Sequence, residues 1–183
     1  MISKGPWKVI SSEEKYSNSW IVVQEDQVIR PDGLNGIFST VTLKSGSSIL
    51  PLDEKGNVYL TKEYKYALNE YSIEAISGGR EPTESFEETA IREMREEAGI
   101  VADKIIPLGL INPFTSVVYS PNYLFLATGL NFVQSAPEPT ETIEIVKVTM
   151  NQALEWAMRG VISHGASVAI ILKTYLFLKE TQI

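Results

Sequence analysis

The chain contains one helix whose two ends and buried face can all be recognised in the sequence. Ser85 and Glu88 form a capping box, which satisfies free backbone N–H groups at the start of a helix. Gly99 suits the left-handed backbone conformation that commonly ends a helix. The apolar residues between these signals recur at helical spacing: Phe86, Ala90, Ile91, Met94 and Ala98. The sequence therefore predicts an amphipathic helix over 85–99 that packs one face against the rest of its domain.

Three glutamates near the end of this helix share one face. Glu93, Glu96 and Glu97 are three and four residues apart, so their carboxylates project side by side. Like charges at this spacing cost roughly 0.2–0.5 kcal/mol per pair, and the negative end of the helix dipole adds to that cost. The face is either a solvated acidic surface, with Arg92 balancing Glu96, or a site for a divalent cation. Ligands that are all oxygen suit Mg²⁺ or Mn²⁺.

A motif that spans 78–100 favours the metal site. Gly78 is followed by Glu84 and then by the runs Arg92-Glu93-Met94, Glu96-Glu97 and Gly99-Ile100. This order resembles the Nudix box, G-x5-E-x7-R-E-U-x-E-E-x-G-U, in which U is a bulky aliphatic residue. The resemblance implies an α/β (α+β) fold, an α/β/α sandwich with a mixed sheet. It also implies an enzyme that uses a divalent metal to hydrolyse a nucleoside diphosphate linked to another moiety.

The resemblance assigns metal-binding roles to individual residues of the box. Glu93 and Glu97 resemble the main metal ligands, and Glu96 resembles a residue that ligates or orients a further ion. The backbone carbonyl of Ser77 is an additional candidate ligand. The implied cofactor is Mg²⁺, with Mn²⁺ as the alternative.

Three further positions of the box resemble structural supports. Gly78 allows the preceding strand to turn tightly against the helix. Glu84 resembles the residue that supports the metal shell, and Arg92 the one that braces the glutamates.

The rest of the chain resembles the ADP-ribose pyrophosphatase subgroup of this family. The similarity is carried at the N-terminus by Trp7-Lys8-Val9, Trp20, Asp26 and Pro31-Asp32-Gly33, and near the C-terminus by residues 143–148, Gly160-Val161-Ile162 and Ala166-Ser167-Val168. It implies that residues 1–50 form a small antiparallel sheet exchanged across a homodimer, and that residues 51–183 form the hydrolase domain. The implied reaction converts ADP-ribose to AMP and ribose 5-phosphate.

Two departures from that subgroup keep other functions open. Residues 112–122 lack the Pro-Gly pair and the acids expected there, and Glu63-Tyr64-Lys65 stands where a Gln-x-Arg motif is usual. Lys65 supplies charge but not the bidentate fork of arginine. The alternatives are hydrolysis of another nucleotide sugar, such as GDP-mannose, and a non-catalytic Nudix domain that senses a nucleotide.

The general base is expected outside the metal cluster, because metal-bound carboxylates are poor proton acceptors. Glu141, in the predicted loop 137–142, is the first candidate, and Glu144 in the next strand is the second. If neither serves, the base is Glu96 within the box. His164, the single histidine, is expected to cap or pack near the last helix.

Four residues are candidates for substrate contacts. Arg80 and Lys65 are cations near the box, and Trp20 and Tyr64 are aromatic residues that could stack on a base. For the aromatic residues the competing interpretation is packing within a sheet.

Composition excludes several classes of protein. The 183-residue chain has a net charge of −7, which gives no general attraction for nucleic acid. It contains no cysteine, so disulfides, thiolate catalysis and cysteine-rich zinc sites are excluded. The apolar run at 168–172 is too short to span a bilayer, and residues 1–10 do not resemble a signal peptide. The expected location is the cytoplasm, and the expected partners are a small-molecule nucleoside diphosphate derivative and a second copy of the chain.

The predicted order of elements is strands, helix, strands, helices, which favours a mixed sheet between helices. We expect a turn at Asp26-Gln27 between strands 19–24 and 28–30, and a hairpin at Lys44-Ser45-Gly46 between strands 38–43 and 47–52. Further strands are expected at 58–64, 71–76, 105–111, 123–127 and 143–148, and further helices from Thr149 to about Arg159 and over 163–179.

Overall fold

The computed structural model describes residues 1–136 and 142–181, which form two compact units. The first unit comprises Met1–Ser45 and Asn112–Ser120, and the second comprises Gly46–Ile111 and Pro121–Ile183. The elements in chain order are β1 (Ile2–Lys4), β2 (Trp7–Ser17), β3 (Ile21–Ile29), β4 (Asn35–Leu43), β5 (Gly46–Pro51), β6 (Asn57–Lys65), β7 (Glu70–Glu74), β8 (Ile76–Gly79), α1 (Phe86–Ala98), β9 (Ile100–Ile111), β10 (Val118–Tyr119), β11 (Asn122–Phe132), β12 (Glu144–Thr149), α2 (Met150–Met158) and α3 (Gly165–Thr181).

The first unit is a five-stranded sheet in the order β1-β2-β3-β4-β10. The first four strands are antiparallel neighbours, and the short β10 adds in parallel to β4. The expected turn at Asp26-Gln27 is wrong, because β3 continues through it. Asp26 is buried in that strand, where it accepts hydrogen bonds from Lys4 Nζ at 2.9 Å and Ser12 Oγ at 2.5 Å. These partners lie on other strands, so a turn-forming residue is held in extended structure.

The second unit is built on two sheets. The four-stranded sheet has the order β8-β5-β11-β9, and the three-stranded antiparallel sheet has the order β12-β6-β7. The expected hairpin at Lys44-Ser45-Gly46 is wrong, because β4 and β5 belong to different sheets. Every residue of β5 is buried, and β5 lies between β8 and β11. A strand buried on both faces belongs in the centre of a sheet rather than in a surface hairpin.

Helices cover both faces of the four-stranded sheet, as neighbouring residues of β5 show. Ile49 packs in a cluster with Ala90 and Met94 of α1. Leu50 points the other way and packs with Ile170 and Ile171 of α3. Because successive side chains of a strand face opposite sides, these contacts place one helical layer on each face. The predicted α+β sandwich with a mixed sheet is confirmed.

The ends of α1 are those predicted. Ser85 Oγ accepts from Glu88 N while the Glu88 carboxylate accepts from Ser85 N, which completes the capping box. Gly99 has the left-handed backbone (φ 61°) and donates its N–H to the last turn. The helices α2 and α3 also lie close to their predicted ranges. Within the two stretches that the structure describes, no helix is both long and apolar enough to cross a membrane.

Candidate active site

Burial of one face of α1 fixes the direction of its glutamates. Ala90 and Met94 are fully buried against the sheet, whereas Glu93, Glu96 and Glu97 remain partly exposed. The left-handed Gly99 ends the helix immediately after them. The predicted row of carboxylates therefore exists at the C-terminal end of the helix.

Arg92 binds three carboxylates at once. Its Nε lies 2.7 Å from Glu84 Oε1, and its Nη1 lies 2.8 Å from Glu93 Oε1 and 3.0 Å from Glu96 Oε2. Its Nη2 donates to the carbonyl of Gly79 at 3.2 Å. These contacts join the loop before the helix to the helix itself.

Arg92 and Glu84 each stabilise the ionised form of the other. The hydrogen bond from Arg92, assisted by those from Glu81 N and Thr89 Oγ1, outweighs partial burial and lowers the pKa of Glu84 to about 2. Hydrogen bonding to Glu84 in turn raises the pKa of Arg92, with smaller contributions from Glu96 and Glu93. Both groups are therefore ionised at neutral pH.

Gly78 leaves room for the carboxylate of Glu93. A Cβ atom at residue 78 would lie 1.8 Å from Glu93 Oε1 and 2.0 Å from its Cδ. Gly78 belongs to β8, where it pairs with Ser47 of β5, so its backbone cannot withdraw without breaking the sheet. The preceding Ser77 holds its hydroxyl against the Ala75 carbonyl at 2.8 Å and against Ser48 Oγ at 2.7 Å.

A second cation faces the end of α1 from strand β6. Lys65 Nζ forms a close ion pair with Glu63 and lies 3.9 Å from Glu74 Oε2. Burial opposes its charge, yet the hydrogen bond to Glu63 and the nearby charges of Glu74, Glu63 and Glu97 raise the pKa of Lys65 overall. Lys65 thus contacts acids of both β6 and β7.

His164 lies at the start of α3 and touches the same cluster. Its Nδ1 is 2.9 Å from Ser167 Oγ and 3.3 Å from Glu74 Oε2. Burial lowers the pKa of His164 in spite of Glu74. Ser167 and Glu74 both meet the same ring nitrogen, whereas a Ser-His-acid triad needs one partner on each nitrogen. The arrangement is therefore a packing and capping contact rather than a nucleophile site.

The donor chemistry of the box fits a divalent metal. Glu93, Glu96 and Glu97 offer carboxylate oxygens, the ligands that Mg²⁺ and Mn²⁺ prefer, and Gly78 makes space for the first of them. Among residues 1–136 and 142–181, however, no three His, Asp or Glu side chains are grouped as a metal would require. Arg92 draws Glu84, Glu93 and Glu96 toward its guanidinium, so these carboxylates would have to reorient to share a metal.

Arg80 lies at the beginning of the box loop. Its Nη1 donates to the Glu84 carbonyl at 2.8 Å, and its guanidinium lies 5.1 Å from the centre of the Phe86 ring. Phe86 stacks in turn on Tyr123 at 3.9 Å. Arg80 Nε is buried and has no hydrogen-bond partner. Arg80 is thus a cation held beside the first turn of α1.

The two aromatic candidates for substrate contacts, Tyr64 and Trp20, belong to different units. Tyr64 is partly exposed, lies edge-on to Tyr71 at 5.6 Å and donates to Asn69 Oδ1 at 2.7 Å. Trp20 belongs to the first unit, where Lys44 Nζ lies 4.9 Å from the centre of its ring.

Of the two candidate bases outside the box, the structure describes only Glu144. Glu144 opens β12 and pairs at 3.2 Å with Lys62 of β6, with two thirds of its side chain exposed (67%). Glu141 lies outside the described residues.

Sequence reasoning missed Glu74 and the cluster it forms with Lys65. Thr61, Glu63 and Lys65 alternate along β6 on one face, and Glu74 lies opposite Thr61. The polar residues at every second position, 61, 63 and 65, are a signal that could have indicated this polar face. The burial of Glu74, at 8% exposed, could not be read from the sequence.

The sequence model of the NUDIX domain matches residues 42–164. The chain belongs to the Nudix family. A second model, the nucleoside diphosphate sugar hydrolase N-terminal domain, matches residues 7–41. The predicted family and the predicted class of enzyme, a Nudix hydrolase, are thereby confirmed.

Two relatives of this Nudix hydrolase match it over most of its length. An ADP-ribose pyrophosphatase of Bacillus subtilis (strain 168) is 27% identical over 94% of both chains. A methanol dehydrogenase activator of Bacillus methanolicus is 24% identical over the same shares. The crystal structure of an ADP compounds hydrolase superposes with a TM-score of 0.85, covering 99% of this chain and 98% of that one. At 16% identity, that last similarity concerns the fold alone.

Proposed function

We propose that this Nudix hydrolase cleaves ADP-ribose to AMP and ribose 5-phosphate in a reaction that depends on Mg²⁺ or Mn²⁺. The observation that carries the reaction class is the complete box on a capped helix, with Glu93 seated over Gly78 and braced by Arg92. The substrate class is supported by the match at residues 7–41 to a domain of nucleoside diphosphate sugar hydrolases and by the relative that is an ADP-ribose pyrophosphatase.

Glu93, Glu96 and Glu97, with the carbonyl of Ser77, are the groups that would hold the metal. When bound, a divalent ion neutralises phosphate charge and acidifies water. Arg92 orients Glu93 and Glu96 through its ion pairs with them, and Glu84 keeps Arg92 in place. Arg80, at the start of the box, is the proposed contact for a substrate phosphate, since guanidinium groups bind phosphate oxygens through several N–H donors.

In the proposed reaction, water attacks one phosphorus of the pyrophosphate and the P–O–P bond breaks. The proton of the water passes to a carboxylate. The attacked phosphorus ends in one phosphate monoester and the bridging oxygen leaves with the other, so the two products are AMP and ribose 5-phosphate. Glu141 is the first proposed base, with Glu144 and Glu96 following.

The first unit provides the proposed surface for dimerisation. It exposes large apolar side chains, among them Trp20 (62%) just before β3 and Ile37 (61%) on β4, which a second copy could cover. We propose a homodimer on this basis. The cytoplasmic location expected from the sequence stays a prediction.

A panel of nucleotide sugars and dinucleotides tests the proposed function. The chain is assayed with ADP-ribose, GDP-mannose, UDP-glucose and diadenosine compounds, with and without Mg²⁺ or Mn²⁺, and products are identified by phosphorus NMR. We expect AMP and ribose 5-phosphate from ADP-ribose only when metal is present. A preference of about tenfold or more for another compound would reassign the substrate. Binding of nucleotides without any turnover would favour the sensor alternative.

A further inference from the structure

Arg80 uses only one of its three side-chain nitrogens to hold the loop before α1. The residue follows β8 directly, and its Nη1 donates to the Glu84 carbonyl at 2.8 Å, with a longer contact to the Glu81 carbonyl at 3.5 Å. Its Nε is buried without a hydrogen-bond partner, and within the described residues its Nη2 makes no hydrogen bond either. The fold therefore leaves two of the three nitrogens unused.

The two unused nitrogens form one edge of the guanidinium. In the plane of this group, Nε–H and the adjacent Nη2–H point the same way, and such a pair of donors binds a phosphate or carboxylate bidentately. Among residues 1–136 and 142–181, no carboxylate forms an ion pair with Arg80. A buried donor without a partner lowers stability, so a residue that served only the loop would gain nothing from this edge. The edge therefore suits an anion that comes from outside the chain.

The third nitrogen leads to the metal cluster through a series of short contacts. Nη1 of Arg80 holds the backbone carbonyl of Glu84, and the carboxylate of the same Glu84 lies 2.7 Å from Arg92 Nε. Arg92 Nη1 lies 2.8 Å from Glu93 Oε1 and 3.0 Å from Glu96 Oε2. Only Glu84 and Arg92 thus stand between Arg80 and two of the carboxylates proposed to hold the metal.

We propose that Arg80 connects the substrate phosphate to the metal cluster. Its Nε and Nη2 bind one phosphate of the substrate bidentately, while its Nη1 holds the loop that presents Glu84 to Arg92. Arg80 is then a binding residue through one edge and a positioning residue through the other nitrogen. The inference rests on the proposed function in taking the ligand as a phosphate compound and the box carboxylates as the metal site.

The two roles can be separated from a general effect of charge. Removing a cation near the box would by itself strengthen metal binding, because less positive charge opposes the divalent ion. Losing the hydrogen bond to the Glu84 carbonyl would instead weaken metal binding, because Arg92 and the glutamates it orients lose their support. The two effects have opposite signs. A lysine at residue 80 would keep the charge and could hold the Glu84 carbonyl, but it lacks the fork for a phosphate.

Two binding measurements on the full chain test the proposal. Binding of ADP is measured by isothermal titration calorimetry in EDTA, so that no metal contributes to phosphate binding. Binding of Mn²⁺ is measured without nucleotide, by electron paramagnetic resonance of the free ion. Arg80→Gln is expected to weaken ADP binding by about tenfold and Mn²⁺ binding by about threefold or more. Arg80→Lys should weaken ADP binding by about tenfold as well, yet bind Mn²⁺ within about twofold of the wild type.

Arg95→Gln is the matched control, because it removes the same charge from an exposed position of α1. We expect this variant to bind ADP within about threefold of the wild type and Mn²⁺ as tightly or more tightly. Equal ADP affinities in Arg80→Lys and the wild type would overturn the proposal. So would Mn²⁺ binding that is at least as tight in Arg80→Gln as in Arg95→Gln.

A second pair of variants keeps the test decisive if Arg80→Gln fails to melt cooperatively. Phe86→Leu keeps an apolar side chain but removes the ring whose centre lies 5.1 Å from the guanidinium, so ADP should bind several-fold more weakly. Tyr123→Leu is its control, since it removes the ring that stacks on Phe86 and keeps the ring that Arg80 meets. Equal ADP affinities in these two variants would then overturn the proposal.

These outcomes are separate from those of the substrate panel, because neither measurement involves turnover. The expected pattern of ADP and Mn²⁺ affinities without hydrolysis of any nucleotide would support the role of Arg80 and reject the proposed reaction. Hydrolysis of ADP-ribose together with an unchanged ADP affinity in Arg80→Lys would leave the reaction standing and remove Arg80 from phosphate binding.

Discussion

The carboxylate of Glu93 lies directly over the α-carbon of Gly78, so close that a methyl group there would come within 1.8 Å of Glu93 Oε1. The first prediction is that Gly78→Ala displaces Glu93 and lowers turnover by about 100-fold or more, since misplaced catalytic groups are costly. Gly165→Ala is the control, because a Cβ at residue 165 would meet no atom within 4 Å. Steady-state kinetics and circular dichroism of both variants check this. Near-normal turnover in Gly78→Ala would show that Glu93 does not need its present position.

The second prediction concerns the stability of the Arg92–Glu84 pair at low pH. The pKa of Glu84 is lowered from 4.5 to about 2, so the ionised carboxylate stabilises the folded state. Its contribution is complete above pH 4.5 and is lost as the pH falls toward 2. The difference in unfolding temperature between the wild type and Glu84→Gln should therefore be constant near neutral pH. It should shrink as the pH falls from 4.5 to about 2.

The control for this prediction is Glu87→Gln, which removes another acid from the first turn of the same helix. The difference in unfolding temperature between Glu87→Gln and the wild type should shrink less than that of Glu84→Gln between pH 4.5 and 2. A difference for Glu84→Gln that stays constant down to pH 2 would mean that Arg92 does not favour the ionised form of Glu84.

Local signals in the sequence predicted α1 correctly, and they failed where pairing depends on distant parts of the chain. The capping box and Gly99 act within a few residues of themselves, so both ends of the helix follow from neighbours in sequence. The segment Lys44-Ser45-Gly46 looks like a hairpin turn, but β5 is drawn into the centre of another sheet by burial of Ile49 and Leu50 on opposite faces. Turn propensity carries no information about that burial.

The same distinction applies to the site. The row of glutamates on α1 follows from helical spacing. The motif drew attention to Arg92 and Glu84, which the structure shows in contact. The cluster around Lys65 could not be predicted, because Glu63, Glu74 and Glu97 come from three elements that only the tertiary fold brings together.

The third prediction separates the candidate bases. Loss of a general base typically lowers the rate by about 100- to 10,000-fold, and Glu141→Gln should lower kcat by that order without changing metal affinity. Glu144→Gln, which removes only an exposed partner of Lys62, should have a small effect. Stopped assays at saturating substrate, with Mn²⁺ titrations of each variant, measure both quantities. A loss in Glu144→Gln alone would move the role to Glu144, and normal rates in both variants would move it to Glu96.

The fourth prediction is that the protein is a homodimer at micromolar concentration. A charge at the exposed Ile37 of β4 should weaken the contact, because it would be buried against the partner. Light scattering should therefore give twice the chain mass for the wild type and a lower mass for Ile37→Glu. Leu176→Glu, at an exposed position of α3, is the control and should stay dimeric. A monomeric wild type would reject the prediction.

The most direct test of the central claim is the turnover of ADP-ribose by Glu97→Gln in the presence of Mg²⁺. Glu97 is proposed to hold the metal, and glutamine keeps its size while removing its charge. We predict that the variant unfolds at the same temperature as the wild type or higher, because one repulsive charge is gone, while turnover falls by more than about 1000-fold. Turnover within about tenfold of the wild type would contradict the assignment of the box carboxylates as the metal site.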